Sequence, residues 1–207
     1  MHQPGFKVYL ASRSPRRRDL LRQIGMQFEP LLVRERAPRG PDVDETVFPG
    51  ESMDDFVRRV CRAKACAAWT RVEERGIRSR PVLAADTVVC VDGVLLGKPT
   101  DRADAARMLA LLSGKTHRVL TAVAIQFGER LEMAVSHSIV RFCKLSPGNI
   151  AEYVDSGEPM DKAGGYAIQG RAAAFITELR GSYSGVMGLP LYETAELISR
   201  FADESPA

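Results

Sequence analysis

An α/β fold built on a mixed sheet is what the order of apolar runs and turn signals predicts. Three observations lead there. Strand-like and helix-like stretches alternate, the alternation is irregular, and long hairpins occur beside crossovers. A uniformly parallel, doubly wound sheet would need a regular strand–helix repeat, which is missing. With 207 residues the chain suits one domain, or two lobes sharing a core.

Lys7 to Ser12 reads as the first strand. Ser14 then caps a helix that begins at Pro15, carries Leu20, Leu21 and Ile24 on one side, and closes at Gly25. Arg34 to Gly50 is polar and rich in Pro, Gly and charge, long enough for a functional loop. Ser52-Met53-Asp54-Asp55 resembles a capping box and opens a helix to about Trp69, with Met53, Phe56, Val57 and Val60 on one face. Pro81 to Val91 is apolar except for Asp86-Thr87, the pattern of a strand buried on both faces. Asp92-Gly93 turns it into a short strand, Val94 to Leu96.

A helix from Thr100 or Asp101 turns Met108, Leu109 and Leu112 inward and stops at Gly114. His117 to Phe127 and Leu131 to Phe142 are two longer strands around a Gly128-Glu129 turn. Ser146-Pro147 starts a helix to about Val154. The Gly-rich stretch Asp161 to Gly170 precedes a strand from Ala174 to Leu179. A last loop, Gly181 to Gly188, leads to a helix from about Pro190 to Phe201.

Composition narrows the function. Hydrophobic residues at 45% and charged ones at 27% are those of a soluble globular protein. A net charge of +3, dispersed along the chain, argues against a nucleic-acid surface. No apolar run is long enough to span a bilayer. Met1-His2-Gln3-Pro4-Gly5 lacks the basic and apolar regions of a secretion signal, so a cytoplasmic location is expected. Cys61, Cys66, Cys90 and Cys143, with His2, His117 and His137, show no zinc spacing, and the cysteines read as reduced packing residues.

The residues that break local rules point to an anion. A helix start favours Asp or Glu, yet Arg16, Arg17 and Arg18 stack there, where unpaired amides and guanidinium groups make a cradle for phosphate or carboxylate. Arginines fanned into solvent, or paired with carboxylates elsewhere, are the plainer alternative. Asp86 sits in a strand that otherwise buries its side chains, so it requires a cation, a metal or hydrogen-bond donors. A structural Asp accepting backbone amides is the competing reading. Glu45, beside Asp44, lies in the long polar loop, where solvated surface is the ordinary fate. Lys64 falls on an inward helical stripe, wanting an anion unless it snorkels. Lys98 is displayed on a Gly/Pro turn, and Gln169 offers an amide donor and acceptor in a Gly-rich segment. Neither the dinucleotide-binding glycine motif nor a Walker-type loop is present. Together the set suits a polyphosphate, a divalent metal and a base.

These segments, in this order, resemble the Maf family. The resemblance rests on Leu10-Ala11-Ser12-Arg13-Ser14-Pro15-Arg16-Arg17-Arg18-Asp19-Leu20-Leu21, Val43-Asp44-Glu45, Ala63-Lys64-Ala65 and Ala85-Asp86-Thr87-Val88-Val89. It continues through Gly97-Lys98-Pro99, Leu112-Ser113-Gly114-Lys115-Thr116-His117, Asp161 to Gly170, and Gly181-Ser182-Tyr183 to Leu191, so it spans about Lys7 to Phe201. It implies the Maf/inosine-triphosphatase-like fold, a mixed twisted sheet with flanking helices forming a single domain of two lobes around a central cleft. It also implies a nucleoside triphosphate pyrophosphatase.

Arg16 after Ser-Pro, Thr87 after Ala-Asp, and the Gly-Tyr-Ala-Ile-Gln-Gly segment are similar to the subgroup acting on dTTP and UTP. A subgroup acting on 7-methyl-GTP would show Trp, Gln and a Ser-Glu-Gly type segment there. On this resemblance Asp86 takes a water proton, and Glu45 with Asp86 holds a divalent metal cation, Mg²⁺ or Mn²⁺. The amides near Ser14, with Arg16, Arg17, Lys64 and Lys98, grip phosphates. Thr87, Gln169 and Arg16 read the base. A small-molecule nucleotide is the expected partner, with no nucleic acid and no membrane, and a homodimer is suggested by resemblance alone. The same chemistry on modified nucleotides, or a regulatory protein of septum formation, stays open. Two departures from the family pattern are a longer loop before Asp44, Arg34 to Pro41, and the sequence Ser184-Gly185-Val186.

Overall fold

The computed structural model describes residues 6–32 and 42–202. The loop lengthening over 34–41 lies outside the described residues. In chain order the elements are β1 (Lys7–Leu10), α1 (Pro15–Gln23), β2 (Gln27–Pro30), α2 (Met53–Glu74), β3 (Val82–Val91), β4 (Val94–Leu96) and α3 (Arg102–Leu112). They continue as β5 (Thr116–Phe127), β6 (Arg130–Phe142), α4 (Pro147–Asp155), β7 (Ile176–Arg180), α5 (Tyr183–Met187) and α6 (Leu191–Ala202), with short 3-10 turns between α4 and β7.

One seven-stranded sheet runs in the order β2-β1-β3-β5-β6-β7, with β4 hydrogen-bonded to β3 beside that path. It is mixed, as expected. β1 lies parallel to both β2 and β3, whereas β3 with β4 and β6 with β7 are antiparallel. β1 reaches its parallel partner β2 through α1, β3 turns directly into antiparallel β4, and β6 reaches antiparallel β7 through α4 and the 3-10 turns.

Most boundaries agree with the sequence reading, and the differences have local causes. β2 was not foreseen: Gln27-Phe28-Glu29-Pro30 is too short for periodicity to register, and it pairs at the sheet edge, where its terminal Pro is tolerated. α2 runs on to Glu74 because its buried stripe continues through Trp69 to Val72. β7 starts at Ile176, later than Ala174, because Arg171–Phe175 closes a 3-10 turn. The expected loop after Gly181 contains the short helix α5. Among the described residues no helix is long and apolar enough to cross a membrane.

The chain divides into two compact units. The first comprises Met1–Asp86, Thr121–Val135 and Gly188–Ala207. Here Val82, Leu83, Ala84 and Ala85 of β3 are fully buried, which is why that stretch carries no polar alternation. Helix α2 buries Phe56, Val57, Val60, Cys61, Ala65 and Ala68, a stripe at the helical period. Ser52 caps α2 by accepting the Asp55 N–H at 3.1 Å. Trp69 meets Phe127 edge-on, ring centroids 5.3 Å apart.

The second unit comprises Thr87–Leu120 and Ser136–Met187. Its core gathers Leu109 and Leu112 of α3, Val140 and Phe142 of β6, Tyr153 of α4, and Tyr166. The far half of β6 alternates cleanly, with Ser136, Ser138, Val140 and Phe142 buried and His137, Ile139 and Arg141 exposed. Ser146 and Asn149 cap α4 reciprocally.

A side chain at Gly164 is disfavoured for two independent reasons. Its φ is +71°, and an added Cβ would sit 3.0 Å from Val89 Cγ2. The left-handed backbone alone costs an L-residue about 1–2 kcal/mol. Gly164→Ala is therefore expected to lose at least about that much stability, read as a lower urea midpoint with an unchanged slope.

Candidate active site

Three segments of the first unit place charged side chains at one point. β3 carries Asp86 into the interior, where the residue is 7% exposed. α2 turns Lys64 onto its buried stripe, one turn beyond Val60. The loop before α2 supplies Glu45. The Lys64 ammonium donates to Asp86 Oδ1 at 2.7 Å and pairs with Glu45 Oε1 at 2.8 Å. Burial opposes the charge on Lys64, but the carboxylates of Asp86 and Glu45 outweigh it and raise its pKa above the ordinary lysine value.

Arg17 reinforces the same region. From the first turn of α1 its Nε donates to the Gly188 carbonyl at 2.7 Å, and Nη1 donates to the Ala85 carbonyl at 2.7 Å and Ser12 Oγ at 3.3 Å. Burial lowers its pKa, and the nearby Asp86 charge works against that fall. Arg17 thus anchors the residue just before Asp86. Sequence reasoning anticipated the cation but not its hold on backbone carbonyls.

Ser14 occupies the N-cap of α1 without a side-chain capping bond, while its own N–H donates to Ser12 Oγ at 3.2 Å. The first turn of α1 has no acidic residue. Arg16 is half-buried, and its charge acts on Arg17.

Cys61 lies one turn from Lys64 and is fully buried, its Sγ 3.6 Å from the Ala84 carbonyl. Burial, with the Asp86 charge, pushes its pKa up to about 12. It is a packing thiol, not a nucleophile. All four cysteines are free.

The other predicted site residues belong to the second unit, which begins at Thr87, half-buried and next to Asp86 in β3. Lys98 is exposed on the turn after β4, and Gln169 is exposed in the segment before β7. A hydrogen bond ties these two places: the Gly164 N–H donates to the Gly97 carbonyl at 2.9 Å.

The Gln169 segment is held at both ends by groups that nothing in their sequence spacing marks. Tyr153 Oη accepts the Ala167 N–H at 3.1 Å and donates to Glu158 Oε1 at 2.8 Å. Glu158 Oε2 accepts the Arg171 N–H at 3.1 Å. A Cβ on Gly170 would lie 2.3 Å from Glu158 Oε1, so only glycine allows that approach. Tyr166 Oη and His117 Nε2 are 2.8 Å apart, both residues buried.

Among the described residues no three His, Cys, Asp or Glu side chains gather as a metal cluster. The donor chemistry still fits a hard divalent cation. Asp86 and Glu45 both reach the Lys64 ammonium, and Mg²⁺ is commonly bound by one or two carboxylates plus substrate phosphates and retained waters.

Residues 7–201 match the family model described as Maf-like protein, and the chain belongs to the Maf family. Three relatives, each named dTTP/UTP pyrophosphatase, show the extent of the match. That of Aromatoleum aromaticum is 55% identical over 94% of this chain and 95% of its own. Those of Nitrosomonas europaea and Ralstonia nicotianae are 54% identical, covering 92% of both chains and 94% of both chains respectively. The Staphylococcus aureus Ham1 protein aligns with a TM-score of 0.44 and 13% identity over 96% of this chain and all of its own, too weak a likeness to carry an argument.

His117 generates a pH prediction. The residue is 1% exposed, and burial pulls its pKa down to about 4 from 6.5. Above pH 6.5 the ring is neutral folded or unfolded and contributes nothing to the pH dependence. As pH falls from 6.5 to about 4 the unfolded chain takes the proton first, so stability is lost across that window, by roughly 3 kcal/mol at the lower end. Urea titrations over that range should show a flatter acid limb in His117→Gln than in the parent protein.

Proposed function

We propose that this chain hydrolyses dTTP and UTP to the nucleoside monophosphate and pyrophosphate, a housekeeping activity on the nucleotide pool. Relatives at 52–55% identity over nine-tenths of the chain carry that activity in their names. One geometric observation supports the chemistry above all: Asp86 and Glu45, from a buried strand and an exposed loop, meet on the single ammonium of Lys64.

In-line attack by water breaks the bond between the α- and β-phosphoryl groups and leaves pyrophosphate. Asp86 accepts the proton of the attacking water, and the pyrophosphate oxygen keeps the electron pair of the broken bond. Asp86 and Glu45 would hold Mg²⁺ or Mn²⁺, which supplies charge neutralisation for the phosphate oxygens when bound. Lys64 offers three N–H groups; two carboxylates take up two of them, and the third would serve a phosphate oxygen. The amides at the start of α1, with Arg16, complete the phosphate contacts of this unit, while Arg17 holds the Gly188 and Ala85 carbonyls.

Thr87 and Gln169 read the pyrimidine edge, where a ring N–H lies between two carbonyl oxygens. The amide of Gln169 can return both a donor and an acceptor to it. The rigid frame around Gln169 supports that role, because a group that discriminates bases must not follow the wrong one.

Pyrophosphate release measured across the common and modified triphosphates, with and without added Mg²⁺ or Mn²⁺, should peak with dTTP and UTP. No release from any of them would overturn the reading. Asp86→Asn should lower kcat by about 10²–10⁴-fold while nucleotide binding persists, as measured by calorimetry. Full activity in that variant removes Asp86 from its role.

A further inference from the structure

Glu45 presents a physical problem. Its side chain is 50% exposed and it sits in a run of exposed residues, Asp44 to Gly50, outside any helix or strand. Nevertheless its carboxylate is delivered to Lys64 at 2.8 Å. One guanidinium accounts for this. Arg59, on α2 ahead of Lys64, sends Nη1 to the Asp44 carbonyl at 3.0 Å and Nη2 to the Thr46 carbonyl at 2.7 Å. Those carbonyls flank Glu45 on either side.

The same fork binds the far end of the loop. Arg59 Nε and Nη2 donate to the two oxygens of Glu51 at 2.6 and 2.9 Å. The Phe48 ring lies 4.1 Å from the guanidinium carbon, covering it. Within the loop, the Thr46 N–H donates to Asp44 Oδ1 at 2.8 Å and the Phe48 N–H to Glu51 Oε2 at 3.1 Å. Residues 44–51 are therefore wrapped around a planar cation carried by the helix that also carries Lys64.

We propose that Arg59 is a positioning residue that aims Glu45 at the Lys64–Asp86 pair. The inference rests on the reading that Glu45 and Asp86 act together on a nucleoside triphosphate. Arg59 does so by gripping the main chain on both sides of Glu45, so it touches no reacting group. Lysine keeps the charge but lacks the fork that spans two carbonyls and a carboxylate.

Arg59→Lys in the full chain should lower kcat for dTTP by roughly 10–100-fold, with KM within about twofold, because sub-ångström misplacement of a reacting geometry carries costs of that order. Glu45→Gln should lower kcat comparably, and the double variant should be no slower than Glu45→Gln alone. Multiplicative losses in the double variant, or an unchanged kcat in Arg59→Lys, would overturn the proposal. Glu51→Gln, which loosens the fork while leaving Arg59 in place, should shift kcat in the same direction by a smaller factor, and no change there counts against it.

A second measurement is independent of activity. Amide exchange at Thr46 and Phe48 should quicken in Arg59→Lys while the interior amides of α2 keep their protection. Unchanged exchange at both sites overturns the proposal. If the parent protein releases no pyrophosphate, the functional reading fails, and exchange alone decides whether Arg59 positions Glu45.

Discussion

The first unit is organised by the lysine at position 64. Asp86 lies in a strand whose preceding four residues are fully buried, and a carboxylate in such surroundings without a partner costs several kcal/mol. The ammonium of Lys64 offsets that cost, and Asp86 and Glu45 in turn keep the lysine charged despite its own burial. A loop, a helix and a strand consequently share one electrostatic centre. Loss of Lys64 would leave the buried Asp86 without its cation, whereas loss of the half-exposed Glu45 would leave the Lys64–Asp86 pair in place. Arg17 extends the set by clamping the carbonyl of Ala85, immediately before Asp86.

The second unit relies mainly on aromatic and imidazole rings, together with the carboxylate of Glu158. Around the Gln169 segment the work falls to Tyr153, Tyr166, Glu158 and a buried neutral His117, joined by hydrogen bonds and edge-on aromatic contacts such as Phe142 with Tyr166 at 4.9 Å. Desolvation explains the neutrality, since it drives His117 towards its uncharged form and raises the pKa of Tyr166.

The legible part of the site was the part that violates local expectation. Asp86 interrupts an apolar strand, Lys64 interrupts an apolar stripe, and arginines stand where acids belong; each is visible in one window of sequence. Glu45 was legible only through the family resemblance, because an acid in a polar loop has no local signature. Arg59 was not legible at all. On a helix dense in arginine nothing distinguishes it until the loop folds back over it. Likewise β2 escaped because its stability comes from pairing with β1, not from its own residues.

By itself the amino-acid sequence determined the elements with strong local causes: the Pro start of α1, the capped starts of α2 and α4, the two-faced burial of β3, the β5–β6 turn, and the mixed character of the sheet. Those follow from backbone geometry and side-chain period within a few residues. Only the tertiary structure decided which charges meet. Lys64 is brought to Asp86 across 22 positions and Arg59 to the Asp44 carbonyl across 15, and the energy that selects such pairs arises only when packing removes the water between them.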